Sequence, residues 1–289
     1  MLLRAKFKED NYTMEDFHLL YSYYYGNCFT FNGANRSLAV GDNEALPFSE
    51  QTVMVGPDNG LQLFIDIQQD QYLPSTDTAG LKVVINPQEV APFPEDRAIN
   101  VAPGMATSIA LSKTEIVRQK SPYGPCQEVS KEQNKNLNIW SSEFSYSQTA
   151  CLKTCYWRWV YFECGCCLSG YPCPIRKNPT TIMDEKIFDS AVPTCDTTRN
   201  WTHDCIATAE ATRLSKALGC ENLCPPPCKE EQFKTVISSG AWPSRNNFPS
   251  VIGWMKTDAS ARFDYTQTDD ELYTSVQRNV LKLQVICLY

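Results

Sequence analysis

The sequence predicts an α+β protein, and three observations carry that reading. Apolar and polar residues alternate in several short runs, the pattern of half-buried strands. Fourteen cysteines stand in 289 residues, and most of them climb one central stretch and descend another. The strand-like runs flank that stretch, from Cys28 to Leu111 and over the last ten residues, so a stapled helical unit is inserted between parts of one β framework.

The first clear strand is Leu61 to Ile67, in which Leu61, Leu63, Ile65 and Ile67 alternate with Gln62, Phe64 and Asp66. After the turn-forming residues Pro74 to Gly80, the run Leu81, Val83, Ile85 repeats the pattern. Ile109 to Val117 predicts a further strand. A helix is expected from about Phe144 to Glu163, because the four-residue step from Cys151 to Cys155 puts both on one helical face. A second runs from about Thr202, a good N-cap residue, to Leu218, with Gly219 as its stop. Ser239 to Asp270 mixes Trp, Pro, Asn and Asp and reads mainly as loop with one short helix. At the end, Leu281, Leu283, Val285 and Cys287 share one strand face, and Lys282 and Gln284 take the other.

The cysteines rise as Cys126, Cys151, Cys155, Cys164, Cys166 and return as Cys195, Cys205, Cys220, Cys224, Cys228. Cys151/Cys155 and Cys220/Cys224 repeat one step, so pairing 151 with 224 and 155 with 220 keeps the position sum constant. Neighbouring segments of opposite direction produce that constancy, since a step forward on one is a step back on the other. Working outward and inward adds Cys126 with Cys228, Cys164 with Cys205 and Cys166 with Cys195, a nested set. Spacing alone does not determine connectivity, and the constant sum is the ground for this choice. Cys167 and Cys173, bracketing Leu168 to Pro172, could form a sixth bridge, leaving Cys28 and Cys287 unpaired.

So many cysteines suit an oxidising, extracellular or lumenal setting. The glycosylation sequons Asn11-Tyr-Thr, Asn35-Arg-Ser and Asn200-Trp-Thr agree, while Asn178-Pro-Thr is excluded by its proline. Zinc is the competing explanation, with Cys164, Cys166, Cys167, Cys195, His203 and Cys205 as donors. Its first spacing is tighter than zinc sites use, and the ladder outruns any four-ligand set. No metal and no cofactor are therefore expected. A net charge of -7 without a basic run argues against a nucleic-acid partner. The only histidines are His18 and His203, and the cysteine beside His203 belongs to the ladder, so the free thiolate of a Cys-His enzyme is missing. No run approaches the roughly eighteen apolar residues of a membrane span, and Met-Leu-Leu-Arg-Ala-Lys lacks the apolar core of a secretory signal. An oxidising domain without a route to the oxidising side is expected to continue upstream.

Several phrases, in order, carry a resemblance: Gly26-Asn-Cys-Phe-Thr-Phe-Asn32, Gly60-Leu-Gln-Leu, Asp66-Ile-Gln-Gln-Asp-Gln-Tyr-Leu-Pro74, Gly80-Leu-Lys-Val-Val-Ile85, Val101-Ala-Pro-Gly104 and Ser121-Pro-Tyr-Gly124. Tyr146-x4-Cys151-x3-Cys155-x8-Cys164-x-Cys166 and Cys220-x3-Cys224-Pro-Pro-Pro-Cys228 complete them. Together they resemble the degenerin/epithelial sodium channel/acid-sensing channel superfamily over most of the chain. The resemblance implies the extracellular domain of a plasma-membrane sodium channel subunit, shaped like a hand. Residues 1-27 would end the finger, with Met14 to Tyr24 as its last helix; 28-125 would form the β-rich palm and β-ball; 126-228 the disulfide-stapled antiparallel helical thumb; and 229-289 the knuckle and a palm return strand, Asn279 to Ile286. Both membrane helices, the first palm strand and a partner for Cys28 would lie outside this chain; Cys287 has no partner on this reading. The implied partners are related subunits in a homo- or hetero-trimer, sodium ions crossing pore segments that lie elsewhere, and an extracellular ligand such as a peptide.

Acid-sensing relatives cluster carboxylates so that neighbouring charge raises their pKa. Here only Asp77 and Glu210 stand in the corresponding places, which argues against proton gating, and no multibasic protease site is present. Peptide gating, mechanical gating and constitutive opening are the modes left. Tyr123 would couple thumb movement to the first membrane helix, its plain alternative being a packed turn aromatic. Trp157, Trp159 and Tyr161 read as thumb packing or a subunit contact rather than a ligand box. The rival to the channel reading is a soluble binding protein or dominant-negative subunit that does not conduct.

Overall fold

The computed structural model describes residues 1-22, 25-33, 52, 54-74, 76-171, 193-214, 216-258 and 263-288. In chain order the elements are β1 (Leu2–Phe7), β2 (Asp10–Tyr12), β3 (His18–Ser22), β4 (Gly26–Thr30), β5 (Leu61–Asp66), β6 (Leu81–Val83), α1 (Pro94–Arg97), β7 (Ile99–Val101) and β8 (Met105–Val117). There follow α2 (Lys131–Leu137), α3 (Gln148–Cys164), α4 (Asn200–Leu214), α5 (Cys220–Leu223), β9 (Lys229–Ala241), α6 (Phe248–Asp258), α7 (Asp269–Asn279) and β10 (Val280–Cys287). The architecture is α+β.

Six strands form one mixed sheet in the order β2-β1-β5-β10-β8-β9. β10 lies inside it, antiparallel to β5 (Leu283 opposite Leu63) and parallel to β8 (Val285 opposite Ile109). Parallel neighbours need a long crossover, and everything from α2 to α7 supplies it. β8 and β9 pair antiparallel over thirteen residues, from Met105 opposite Ala241 to Val117 opposite Lys229. Two small hairpin sheets, β3-β4 and β6-β7, stand apart.

Leu63 and Phe64, adjacent on β5, point to opposite faces as strand geometry requires. Leu63 joins Ala5, Val101, Ile109, Leu281 and Leu283 in one core cluster, with Leu81, Val83 and Ile99 of the small sheet packed on it. Phe64 packs on the other, formed by Trp242, Phe248, Val251, Met255, Leu272 and Val276, so α6 and α7 cover that face. Leu281 is fully buried, and burying such a side chain contributes roughly 1.5 to 3 kcal/mol. α7 starts at a capping box: the Thr268 hydroxyl accepts from Glu271 N–H, and the Glu271 carboxylate accepts from Thr268 N–H at 3.1 Å.

The structure corrects several sequence expectations. Met14 to Tyr24 is not a helix over its described part: a single 3-10 turn, Met14–Asp16, is followed by β3. Thr13 and Asp16 do form a capping box, but Leu19 to Ser22 pair with Gly26–Phe29 instead of continuing the turn. The stretch read mainly as loop, Ser239 to Asp270, holds the end of β9, all of α6 and the start of α7. Ile109 to Val117 extends back to Met105, while Ile67 falls outside β5. The first long helix begins later than Phe144, at an N-cap Ser147 whose hydroxyl accepts from Ala150 N–H at 3.2 Å, and ends at Gly165 with φ 63°. The second covers Asn200–Leu214, with Thr202 buried inside it rather than capping it. Among the described residues, no helix is long and apolar enough to cross a membrane.

Candidate functional site at the base of the helical hairpin

α3 and α4 run as the two arms of a hairpin whose spine is covalent. Cys151 is bridged to Cys224, Cys155 to Cys220, Cys164 to Cys205 and Cys166 to Cys195, and Cys126–Cys228 closes the base. The two middle bridges land at the two ends of α5, a short turn beyond α4, on its first residue Cys220 and its C-cap Cys224, and Cys164–Cys205 joins the long arms directly. The cysteines weighed as zinc donors at 164, 166, 195 and 205 are consumed in these bridges. Cys167 is disulfide-bonded as well, while Cys173 lies outside the described residues.

At the base the chain leaves β8, makes the loop Arg118 to Cys126, and later returns through Cys228 into β9. The two crossings are tied by Arg118 N–H donating to Cys228 C=O at 2.8 Å and Gln127 N–H donating to Pro226 C=O at 3.1 Å. The Arg118 guanidinium donates to Pro227 C=O at 2.9 Å and pairs with Glu230 at 2.6 Å. Partial burial pushes the Glu230 carboxyl up, but hydrogen bonds from Gln232 and Arg118 outweigh it and hold the group below its ordinary value. Tyr146 Oη donates to Pro225 C=O at 2.7 Å, and burial raises its phenol to about 12. The joint therefore has few loose polar groups, and the hairpin and the β8-β9 ribbon meet through hydrogen-bonded backbone.

Tyr123 stands on the loop of this joint. Tyr123 and Gly124 N–H both donate to Lys120 C=O, and a Cβ on Gly124 would lie 2.3 Å from the Gln119 oxygen, so the tight loop needs glycine there. The ring projects outward, 83% exposed, so it is not a packed turn aromatic of this chain.

A second attachment holds the flank of the hairpin. The Lys153 ammonium pairs with Glu95 at 2.8 Å and Asp96 at 3.2 Å and sits over the Phe93 ring at 4.8 Å. Phe93 in turn meets Trp140 edge-on, and Ser145 N–H donates to Glu89 C=O. Sequence reasoning passed over Arg118 and Lys153; the position of Lys153 between two bridged cysteines on α3 was the available sign. Trp157 is buried and stacks on Tyr161, and Trp159 packs beside Val160 and Cys164, so these rings serve the hairpin interior.

The remaining residues are scattered. Asp77 is exposed between β5 and β6, remote in sequence from Glu210 on α4. The Arg213 guanidinium bound to Glu210 holds that carboxyl below its usual range. Asn11 on β2 and Asn200 at the start of α4 are exposed; Asn35 lies outside the described residues. Cys28 is a half-buried free thiol on β4, pushed up by burial and then by the charge of Glu95, and Cys287 is free and exposed at the end of β10.

These carboxylates define a pH expectation. Glu210 and Glu230 titrate below the free glutamate value of about 4.3, so the stability their pairs contribute is present above that value and is lost only as pH falls through the lowered ones. The urea midpoint and tryptophan fluorescence should show no transition from these pairs between neutral pH and about 5, with destabilisation below about pH 4. A transition near pH 6 that Glu210→Gln removes would contradict this.

The chain matches the family described as amiloride-sensitive sodium channel over residues 1–287. It is 29% identical to the epithelial sodium channel subunit alpha of Neoceratodus forsteri over 90% of this chain and 34% of that protein. It is 29% identical to subunit beta-2 of Xenopus laevis over 92% of this chain and 38% of that protein. Degenerin del-1 of Caenorhabditis elegans is 28% identical over 76% of this chain and 29% of that protein. The chain thus spans about a third of the length of the relatives it matches. The family is one of ion channels, not enzymes. With the match running through the sheet, the bridged hairpin and the joint between them, the chain belongs to the amiloride-sensitive sodium channel family.

Proposed function

We propose that this chain is the extracellular part of a plasma-membrane sodium channel subunit, that the six-stranded sheet and small sheets are its palm and β-ball, and that the bridged hairpin is its thumb. The family match over nearly the whole chain carries this reading. The thumb is a lever stiffened by the five bridges between its described cysteines; its fulcrum is the Arg118 to Cys126 loop and the return at Cys228. A ligand or force displacing the hairpin moves that loop, and Tyr123, projecting from it, hands the displacement to pore segments of the whole subunit. β10 runs parallel to β8, so both strands head toward the same end of the sheet, the end at which the thumb is rooted. The subunit works in an oligomer with related subunits, as the named alpha, beta and gamma relatives suggest.

The test grafts residues 1–287 into the corresponding region of the Xenopus laevis beta-2 subunit, co-expresses the chimera with its partner subunits in oocytes, and measures amiloride-blockable sodium current. Current is expected; a chimera that reaches the surface and conducts nothing overturns the reading. If the chain as it stands is secreted and only lowers the current of intact subunits, the dominant-negative reading replaces it. In a conducting chimera, Tyr123→Ala should lower the open fraction severalfold while leaving surface amount and urea midpoint unchanged, because an 83% exposed ring holds little of the fold. Unchanged gating in Tyr123→Ala would remove the residue from the coupling path.

A further inference from the structure

We propose that the sequon Asn200-Trp-Thr is a modification site open only before the chain around it is oxidised: an N-linked oligosaccharide is attached to Asn200 until the bridges Cys166–Cys195 and Cys164–Cys205 form, and their formation ends it. The proposal rests on the extracellular reading above, since both reactions belong to the lumen of the secretory pathway, and it adds what decides whether the hairpin carries a sugar.

Attachment joins the side-chain nitrogen of Asn200 to C1 of a sugar; the bond from C1 to a lipid-linked pyrophosphate breaks, and the amide gives up one proton as the pyrophosphate leaves. The transferase binds the sequon out of helical form, with the hydroxyl of its third residue held beside the asparagine amide, so the asparagine and the threonine must both be reachable. In the finished structure one of them is not. Asn200 and Trp201 are exposed, but Thr202 is only 2% exposed. All three stand in the first turn of α4, where His203 N–H donates to Arg199 C=O at 3.0 Å. Presenting Thr202 to an enzyme therefore means unwinding that turn. Further protein packed on the hairpin deepens the burial of Thr202 and does not relieve it.

The bridges keep the turn from unwinding. Cys195 and Cys205 lie at equal distances in sequence before and after Asn200, and their partners Cys166 and Cys164 are separated only by Gly165. The sequon thus stands at the middle of a covalent ring of about fourteen residues, too small to let its centre extend into another protein. The approach to the helix inside the ring is fixed as well. Cys195 N–H donates to Cys167 C=O at 2.8 Å, and the Asp196 carboxylate accepts from Thr198 N–H at 3.0 Å and pairs with Arg199 at 3.3 Å. The Asn11 sequon has neither obstacle: Asn11 and Thr13 are both exposed, and no bridge between described cysteines encloses them.

Oxidation and glycosylation compete from the start. Cys205 is synthesised about a second or less after Asn200, when Cys164, Cys166 and Cys195 have already been made, and disulfides take seconds or longer to form. The sugar has that interval and no more, so Asn200 is expected to be occupied in only part of the molecules.

The test treats the purified, unglycosylated chain with purified oligosaccharyltransferase and a lipid-linked oligosaccharide, and quantifies glycopeptides at Asn11 and Asn200 with and without prior reduction. Asn11 should be modified in both states, and Asn200 in the reduced chain about tenfold or more faster than in the oxidised one. Cys166→Ala/Cys195→Ala opens the ring and should release Asn200 for modification without reduction. Cys126→Ala/Cys228→Ala removes a bridge outside the ring and should not. Non-reducing peptide maps showing Cys151–Cys224 and Cys155–Cys220 in both variants separate ring opening from loss of the hairpin. An oxidised wild-type chain modified as fast at Asn200 as at Asn11 overturns the proposal, and so does a reduced chain left bare at Asn200. A block that persists in the open-ring variant overturns the ring as the gate. In the oocyte chimera, dithiothreitol present during synthesis should raise occupancy at Asn200 and leave Asn11 unchanged. A chimera bare at both sites speaks against the extracellular reading, which the current tests independently, while the purified chain still decides the ring.

Discussion

Gly60→Ala is expected to destabilise the chain by about 3 kcal/mol or more and to appear as a low yield of folded protein and a lowered urea midpoint. A Cβ at position 60 would lie 2.0 Å from the carbonyl oxygen of Val285 and 3.0 Å from its carbon. Both atoms are backbone of β10, so no rotamer change relieves the clash. Either β10 moves or the turn before β5 does, and β10 is held on both sides by ladders to β5 and β8. Amide exchange should therefore rise first at Val285 to Cys287 and then at the β8 residues opposite, Ile109 to Leu111. The φ of Gly60 is ordinary, -100°, so the effect is contact rather than backbone strain. Gly253→Ala is the control of opposite sign. That glycine is exposed in α6 with open space around its Cβ, and the exchange should stabilise the chain by roughly 0.5 to 1 kcal/mol through helix propensity. A Gly60→Ala chain as stable as wild type would show that the approach of β10 to residue 60 is wrong.

Removing Cys151–Cys224 and Cys155–Cys220 together should cost more than twice what removing either alone costs. The long separations of the bridged residues, 73 and 65, overstate what each bridge does, because its neighbours already hold the chain. With one middle bridge in place, the other closes a ring of only about eight residues, which in the chain-entropy account stabilises by roughly 2.5 kcal/mol. With both gone, the next bridges are Cys126–Cys228 and Cys164–Cys205, and the first middle bridge restored closes a ring of about thirty residues, roughly 3.5 kcal/mol. The double removal should thus cost about 6 kcal/mol, against roughly 2.5 for each single one. Urea titrations of Cys151→Ala/Cys224→Ala, of Cys155→Ala/Cys220→Ala and of the fourfold variant measure the difference. Strict additivity would mean that native packing, and not ring closure, governs the effect.

Legibility in the sequence followed burial. β5 and β10 could be read because one face of each meets a core, which forces apolar residues into alternate positions: Leu61, Leu63 and Ile65 on one, Leu281 and Leu283 on the other. β9 was not read, although it is thirteen residues long, because its second half has no covered face and so nothing imposes a pattern on Thr235 to Ala241. The resemblance implies a helix where β3 lies, but local chemistry favours the strand: the run Leu19-Leu20-Tyr21-Ser22 suits one, and the capping box at Thr13 to Asp16 sustains one turn only. α7 was legible and overlooked, for Thr268-Asp-Asp-Glu271 is a capping box followed by Leu272 and Val276 at helical spacing. At the base of the hairpin, the cysteines and Tyr123 carry signals of type and spacing. Arg118 carries none and Lys153 only its place between two cysteines, since what distinguishes them is the carbonyl, carboxylates and ring that the fold brings from elsewhere in the chain.

The interior place of β10 also dictates the order in which the molecule can be finished in the cell. Residues 126–228 contain both ends of all five bridges between described cysteines, so the hairpin can fold and oxidise as soon as its own segment has emerged. The sheet cannot. β5 and β8 are not neighbours until β10 lies between them, and about 170 residues separate Ile109 from Leu281, roughly ten to thirty seconds at ordinary rates of synthesis. Through that interval Leu63 and Ile109 face water on a sheet split in two, with a rigid, oxidised hairpin already hanging from one half. Nascent chains stalled before residue 280 should be the form that chaperones hold longest, and release should track the arrival of β10, which follows the other five strands of this sheet in the chain and sits between two of them.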